Sequence, residues 1–257
     1  GGRRTMAADL AATANAYTRA GVWDERLFRL LAGAVRRLRP DDLNLRDVAE
    51  TVGAFSRIET RTGSTLRDGA LFLLLSARVK RAPCEELAQE PRALANIVNA
   101  FARAGVWDED LFRHTSRAAR SIDPRGISVD DCAAIVGSFA KAQTRAGARL
   151  RDGALFRRMS LIVQAQKAEA FTPRAVSNIV TSFARAGIWD RVLFKKIARI
   201  AVSLPGAFPS APLINFKSQE LANLAWAMSK AFGASGSPFV SGGGGGGGVA
   251  EWSGCSD

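Results

Sequence analysis

The 257-residue sequence is poor in the residues from which most catalytic and metal sites are built. It has one histidine, His114, and three cysteines, Cys84, Cys132 and Cys255, which lie far apart in the chain. A single imidazole cannot form the cluster typical of a metal or acid–base site, and three scattered thiols favour neither a disulfide framework nor a cysteine-rich zinc site. We therefore expect no catalytic residue, no metal and no cofactor, and predict that the protein is not an enzyme. His114 is expected to be a surface or capping residue.

The sequence also lacks any uninterrupted apolar run of about 18 residues, so no membrane-spanning helix is predicted. Because no catalytic residue is expected, no small-molecule substrate is predicted either. Acidic residues are outnumbered, with 24 Asp and Glu against 36 Lys and Arg, for a formal charge of +12. Seven of the basic residues are lysine and the other 29 are arginine. The rigid fork of donors on arginine matches phosphate geometry, so this excess favours an anionic polymer as partner.

The dominant signal is an internal repeat, marked by a first aromatic residue that we call the anchor. The anchors are Tyr17, Phe55, Phe101, Phe139 and Phe183, with Met228 in their place in a sixth, partial copy. They are spaced by 38, 46, 38, 44 and 45 residues, and a second Phe follows 11 residues later in odd repeats and 17 later in even ones. Short and long units therefore alternate.

Each repeat has the pattern of a helical hairpin. Glycines Gly21, Gly105 and Gly187 suit the end of a first helix, and a Trp-Asp pair in each odd repeat suits a hydrophobic staple and an N-cap of the second helix. An Asp four residues before the second Phe is the predicted cap in every complete repeat: Asp24, Asp68, Asp108, Asp152 and Asp190. In the even repeats we expect the extra residues to form a polar loop that carries Arg61, Arg67, Arg145, Arg149 and Arg151.

The sequence therefore predicts an all-α fold, an α-solenoid of about five and a half helical hairpins that alternate between short and long units. Five repeats are expected over residues 7–204 and a sixth partial repeat or capping helix over 217–234. Residues 1–6 are interpreted as an N-terminal remnant or extension, which would suit the remnant of an organelle transit signal. Residues 205–216 are a predicted Pro-rich linker, and residues 235–257 a predicted Gly/Ser-rich flexible tail.

One face of the first helices carries the candidate binding residues. The position two residues after the anchor lies about 200° around the helix from it, away from the core, and is basic in all six copies: Arg19, Arg57, Arg103, Lys141, Arg185 and Lys230. Asparagines share this stripe at Asn96, Asn99, Asn178 and Asn223, as does Asn15 in the first repeat, and a second basic column follows the second Phe at Arg29, Arg113, Arg157 and Lys195. Amides contact base edges and cations bind phosphates, which predicts a surface for single-stranded RNA. A solvated or protein-binding face is the alternative.

The segments Leu94–Phe101 and Leu221–Met228, which both begin Leu-Ala-Asn, resemble the helical-hairpin repeats of octotricopeptide and heptatricopeptide proteins and the repeats that precede RAP domains in organelle proteins. The resemblance covers about residues 7–232 and implies an α-solenoid that binds RNA in a mitochondrion or plastid. The repeats are longer than is usual for pentatricopeptide proteins, and no RAP-like module follows them.

From this resemblance and the basic charge we predict a structural subunit of a mitochondrial ribosome, which lies in the matrix and contacts rRNA and neighbouring ribonucleoprotein subunits. Two other functions stay open: a free transcript-binding factor for RNA stability or translation, and a protein-binding scaffold subunit of a mitochondrial complex. A plastid is the alternative location.

Overall fold

The structure, a computed structural model, describes residues 2–62, 68–147, 150–203 and 216–232, and no strand occurs in these ranges, which confirms the all-α fold class. The α-helices are α1 (Gly2–Ala20), α2 (Glu25–Arg36), α3 (Leu45–Thr62), α4 (Gly69–Arg81), α5 (Cys84–Gln89), α6 (Pro91–Ala104), α7 (Glu109–Arg120), α8 (Val129–Ala146), α9 (Gly153–Ala165), α10 (Pro173–Ala186), α11 (Arg191–Ser203) and α12 (Ser218–Phe232). None of these described helices combines the length and apolar character needed to cross a bilayer. The predicted tail, and the predicted linker up to residue 215, lie outside the described residues.

The chain forms two compact units, the first ending at Gly126 and the second beginning at Ile127. The first unit contains the hairpins α1/α2, α3/α4 and α6/α7, and the second contains α8/α9, α10/α11 and the single helix α12. Within each unit the first helices of successive hairpins pack side by side, α1 on α3 on α6 and α8 on α10 on α12. The second helices do the same, α2 on α4 on α7 and α9 on α11. We call these the first-helix and second-helix layers; a continuous solenoid through both units stays a prediction.

Edge-to-face aromatic pairs join one hairpin to the next. Within the two units, the second Phe of one hairpin packs against the anchor of the following hairpin. These pairs are Phe28–Phe55, Phe72–Phe101 and Phe156–Phe183, with ring centroids 5.4, 5.4 and 5.0 Å apart. These rings are almost fully buried and bring the preferred geometry of aromatic contacts into the core. Tyr17 is 40% exposed, so the expectation that every anchor faces the core is wrong at this position.

The predicted N-caps of the second helices are confirmed at every complete hairpin, and the predicted terminal glycines of the first helices at the odd ones. All five cap aspartates accept a hydrogen bond from the backbone amide three residues later, at 2.9–3.0 Å. The three predicted terminal glycines have φ between 67° and 72°, the left-handed conformation that glycine adopts without strain. The staple is present as well, since Trp107 and Trp189 pack on Phe112 and Phe194 at 6.1 and 5.8 Å between ring centroids.

The even repeats differ from the expected polar loop. Helices α3 and α8 are each 18 residues long, against 14 for α6 and α10, so residues 59–62 and 143–146 continue the helix. The cause is local: odd repeats place a glycine four residues after the anchor, whereas the even ones have Glu59 and Gln143 there. Arg145 and Arg151 are exposed, and the side chains of Arg61, Arg67 and Arg149 lie outside the described part of the chain. Helix α1 begins at Gly2, so residues 2–6 are continuous with the first repeat.

Candidate nucleic-acid interface

The predicted basic column lies on the outer face of the first-helix layer in each unit. Its side chains are exposed at Arg19, Arg103, Lys141, Arg185 and Lys230, and half-buried at Arg57. This agrees with the angular offset of this position from the buried anchors. Because α1, α3 and α6 lie side by side, the three cations of the first unit follow one another across neighbouring helices, and α8, α10 and α12 arrange the second unit's three cations in the same way.

The asparagines of the stripe are less uniform. Asn96 is exposed, and Asn15, Asn99, Asn178 and Asn223 are half-buried. The side-chain oxygen of Asn223 accepts a hydrogen bond from Gln219 at 3.2 Å, while its backbone carbonyl accepts one from Thr181 of the neighbouring helix α10 at 3.4 Å. Part of the predicted amide ladder is therefore used within the protein.

The even repeats have a glycine two residues before the anchor, at Gly53 and Gly137. A Cβ placed on Gly137 would lie 3.5 Å from Ser182 Oγ, so α8 and α10 are in van der Waals contact at this point. A Cβ on Gly53 would instead lie 3.8 Å from the guanidinium of Arg57, which folds back along its own helix. The two glycines therefore accommodate different neighbours.

The predicted second basic column lies on exposed positions of the second-helix layer, at Arg29, Arg113, Arg157 and Lys195. Here part of the charge is compensated within the same helix. Arg29 forms an ion pair with Glu25 and Arg113 forms one with Glu109, each four residues earlier. Pairing within the helix lowers the net charge that Arg29 and Arg113 present to an anionic ligand.

The cap aspartates have a second role, which the sequence reasoning missed. Besides capping α7, Asp108 accepts hydrogen bonds from Ser76 Oγ at 2.5 Å and Lys80 Nζ at 2.8 Å, both on the preceding second helix α4. In the second unit, Asp190 accepts the equivalent bonds from Ser160 at 2.6 Å and Gln164 at 3.1 Å. We call this arrangement the aspartate link. The available signal was a serine repeated four residues after the second Phe, at positions 76, 116 and 160.

The charge of Lys80 changes the electrostatics of this link. Burial alone would raise the pKa of Asp108, but hydrogen bonds from Lys80, Ser76 and the Leu111 amide, together with the charge of Lys80, outweigh it and lower that pKa. Between the first two hairpins, Arg36 of α2 approaches Asp68 at 3.5 Å from the position equivalent to Lys80. The cap aspartates therefore join successive hairpins as well as starting helices.

His114 serves as a helix-capping residue, in agreement with its predicted role. Its Nε2 lies 2.8 Å from the carbonyl oxygen of Ala82, where α4 ends, and its Nδ1 lies 3.9 Å from Cys84 Sγ. Lys196 occupies the equivalent position of α11 and donates to the carbonyl oxygens of Gln164 and Gln166 at the end of α9. Burial lowers the pKa of Lys196. These polar side chains satisfy carbonyls that the helix leaves without partners.

Two further groups of interest for chemistry are the thiol of Cys132 and the clusters of potential metal ligands. Cys132 is buried in α8, which raises its pKa to about 12. No group of three or more His, Cys, Asp or Glu side chains among the described residues is placed to hold a metal ion. Comparison of the chain with protein-family models and with curated proteins gives no match.

Proposed function

We propose that this chain is a non-catalytic RNA-binding helical-repeat protein, and that it serves as a structural subunit of a mitochondrial ribosome. In this proposal the first-helix layer contacts rRNA, with its cations on phosphates and its free amides on base edges. The second-helix layer holds the hairpins together and contributes general positive potential.

The observation that carries RNA binding is the basic column of the first-helix layer. Six helices place a cation at the same register position, five of these side chains are exposed, and no acidic residue replaces any of them. A merely solvated helix face accepts glutamate as readily as lysine or arginine, because all three are good helix formers. Repeated cations on adjacent helices instead suit a chain of phosphates.

The contrast with the second-helix layer supports the same assignment. Arg29 and Arg113 are neutralised in part by glutamates of their own helices, whereas the printed sequence has no acidic residue four positions before Arg19, Arg103 or Arg185. A helix face that has no glutamate at this spacing favours a polyanion. The location in a ribosome and in a mitochondrion rests on the family resemblance alone.

RNA binding is tested by titrating the purified chain with short single-stranded RNA at several salt concentrations. Phosphate contacts make the logarithm of the binding constant fall linearly with the logarithm of the salt concentration, by about 0.7 per phosphate on a single strand. We expect the slope of this plot to be several times the value for one phosphate. Binding that is absent, or unchanged by salt, contradicts the proposal.

The ribosomal role is tested separately by density-gradient fractionation of a native organelle extract, with and without ribonuclease. We expect the protein to sediment with a ribosomal subunit and to leave that fraction when RNA is digested. Migration in light, ribonuclease-sensitive fractions would identify a free transcript-binding factor, and a large ribonuclease-resistant particle would identify a protein scaffold.

A further inference from the structure

A polar cluster at the contact between α1 and α3 stands out from the rest of the basic column. It consists of Asn15 and Arg19, one turn apart on α1, and Arg57 on α3. The Nη2 group of Arg57 donates a hydrogen bond of 3.0 Å to the side-chain oxygen of Asn15, across the two helices. The bond fixes one arginine of the column beside its neighbour.

The guanidinium of Arg57 lies over Gly53, with Nη1 and Nη2 at 3.8 and 3.9 Å from the position that a Cβ would occupy, the distance of an ordinary van der Waals contact. Arg57 is therefore half-buried in the groove between the helices, unlike the other five cations of the column. A guanidinium held in one orientation loses less conformational freedom when it binds a ligand.

The charges of Arg19 and Arg57 have no acidic partner among the described side chains. Among the side chains that the structure describes, neither Arg19 nor Arg57 forms an ion pair with a carboxylate. Burial lowers the pKa of Arg57, and the positive charge of Arg19 lowers it further. Two like charges in a partly desolvated groove repel each other until an anion lies between them.

The same arrangement does not recur in the second unit. Asn15 lies two residues before its anchor, and the equivalent positions on α8 and α10 are Gly137 and Thr181. Arg185 on α10 and Lys230 on α12 therefore have Gly137 and Thr181, in place of an asparagine, at that position of the preceding first helix. The cluster on α1 and α3 is a local feature and not a general property of the repeat.

We propose that Arg19 and Arg57 together bind a single phosphate group in the groove between α1 and α3, with Asn15 orienting the guanidinium of Arg57. The inference rests on the proposed function, because the phosphate is assigned to the backbone of the bound RNA. The planar fork of Arg57 and the exposed guanidinium of Arg19 supply donors on both sides of one phosphate.

The test is a double-mutant cycle with Arg19→Gln, Arg57→Gln and the double variant, each titrated with a single-stranded RNA 10-mer over a salt series. If both arginines share one phosphate, the double variant lowers the salt slope by about 0.7, the value for one phosphate. The affinity losses of the two single variants, about tenfold at most, will then not multiply in the double variant. Arg29→Gln, which removes an equal charge from the same hairpin but from its second helix, should change the affinity less than twofold.

Two results with RNA overturn the shared site. A slope reduction of about 1.4 with multiplying losses would mean that the arginines contact separate phosphates. Unchanged binding of the double variant would mean that the RNA surface excludes this groove, while RNA binding by the protein still stands.

Inorganic phosphate separates this inference from the proposed function. We expect phosphate, compared with chloride at equal ionic strength, to raise the melting temperature of the wild-type chain in a saturable way and to leave that of the double variant unchanged. Stabilisation by phosphate without any RNA binding would retain the site as a free-phosphate site and refute the RNA function. If the chain responds neither to phosphate nor to RNA, both the shared phosphate site and the proposed RNA binding are overturned.

Discussion

The two helix layers share the same repeat but use their polar residues differently. In the second-helix layer, recurring polar positions contact a neighbouring hairpin: Ser76, Lys80 and His114 in the first unit, and Ser160, Gln164 and Lys196 in the second. In the first-helix layer, the recurring cations lie on the outer face, and five of the six are exposed. The second-helix layer uses its recurring polar residues to join hairpins, and the first-helix layer presents its recurring cations to the surroundings.

This difference shows that repetition of a residue type does not by itself identify a binding surface. The aspartates recur as strictly as the basic column, yet each is bound within the protein at the start of a second helix. What distinguishes the cations of the first-helix layer is exposure together with the lack of acidic residues at their position. Substitutions in the two layers should therefore affect different properties.

The largest expected effect is on RNA affinity, from the double charge reversal Arg103→Glu and Arg185→Glu. Each reversal replaces a cation that we propose to bind phosphate by a repelling anion, and we expect a loss of about tenfold for each, or about 100-fold together because the sites lie in separate units. Electrophoretic mobility shift or fluorescence anisotropy titrations measure the loss. Both side chains are exposed, so the circular dichroism melting curve should stay close to that of the wild type.

Reversal of the second-helix column provides the matched control. Arg113→Glu removes a cation that already pairs with Glu109, and we expect a smaller loss of RNA affinity than from Arg103→Glu. Equal losses from the two variants would erase the distinction between the layers and would favour unspecific attraction by the net charge.

The next largest effect is on stability, from Asp108→Ala in the second-helix layer. The variant loses the cap of α7 and leaves Ser76 and Lys80 without their acceptor, which together should cost about 2 kcal/mol. Asp24→Ala is the matched variant, because Asp24 caps α2 in the same way and no side chain of another hairpin donates to it among the described residues; it should cost only about 1 kcal/mol. Urea unfolding measures both, and equal costs would show that the aspartate link contributes nothing beyond the cap.

A smaller effect distinguishes the aspartate links of the two units. Lys80→Gln gives the first unit the amide that Gln164 provides in the second, at an expected cost of about 1 kcal/mol at pH 7. The lowered pKa of Asp108 means that its ionised form contributes stability above the unfolded-state value of about 4, and that this contribution is lost as the pH falls through the folded-state pKa. The cost of Lys80→Gln should therefore shrink towards zero between pH 7 and pH values below about 4. A cost that is the same at both ends contradicts an electrostatic role for Lys80.

Much of the fold could be predicted from the sequence because its signals are local. Capping aspartates, terminal glycines and the Trp-Phe staple act within one helix turn, so their spacing alone indicated the hairpins. The predicted loop was wrong at the ends of α3 and α8 because polar residues suit a loop and a helix alike. The better signal was that the even repeats have no glycine four residues after the anchor. The exposure of Tyr17 depends on which hairpin lies beside it, which a repeat pattern does not contain.

The candidate site was predictable only in part. Helical geometry placed the basic column on the outer face, since an offset of about 200° from a buried anchor must point outward. The bond between Arg57 and Asn15 joins residues 42 positions apart in sequence, and the aspartate link of Asp108 joins residues 28 and 32 positions apart. Such contacts depend on how neighbouring helices are aligned, which periodicity within a single helix does not determine.

The smallest expected effect tests whether a glycine in the second-helix layer has any role. Gly33 lies inside α2, where a Cβ would meet nothing within 4 Å, and the equivalent positions of the other second helices hold Ala77, Arg117, Leu161 and Arg199. Gly33→Ala should therefore stabilise the chain by about 0.5 kcal/mol, because alanine loses less conformational entropy in a helix. The matched substitution Gly105→Ala should destabilise it, since Gly105 ends α6 with φ of 68°. Thermal melts of the two variants measure these opposite signs, and a loss of stability in Gly33→Ala would mean that α2 needs a close neighbour at this position.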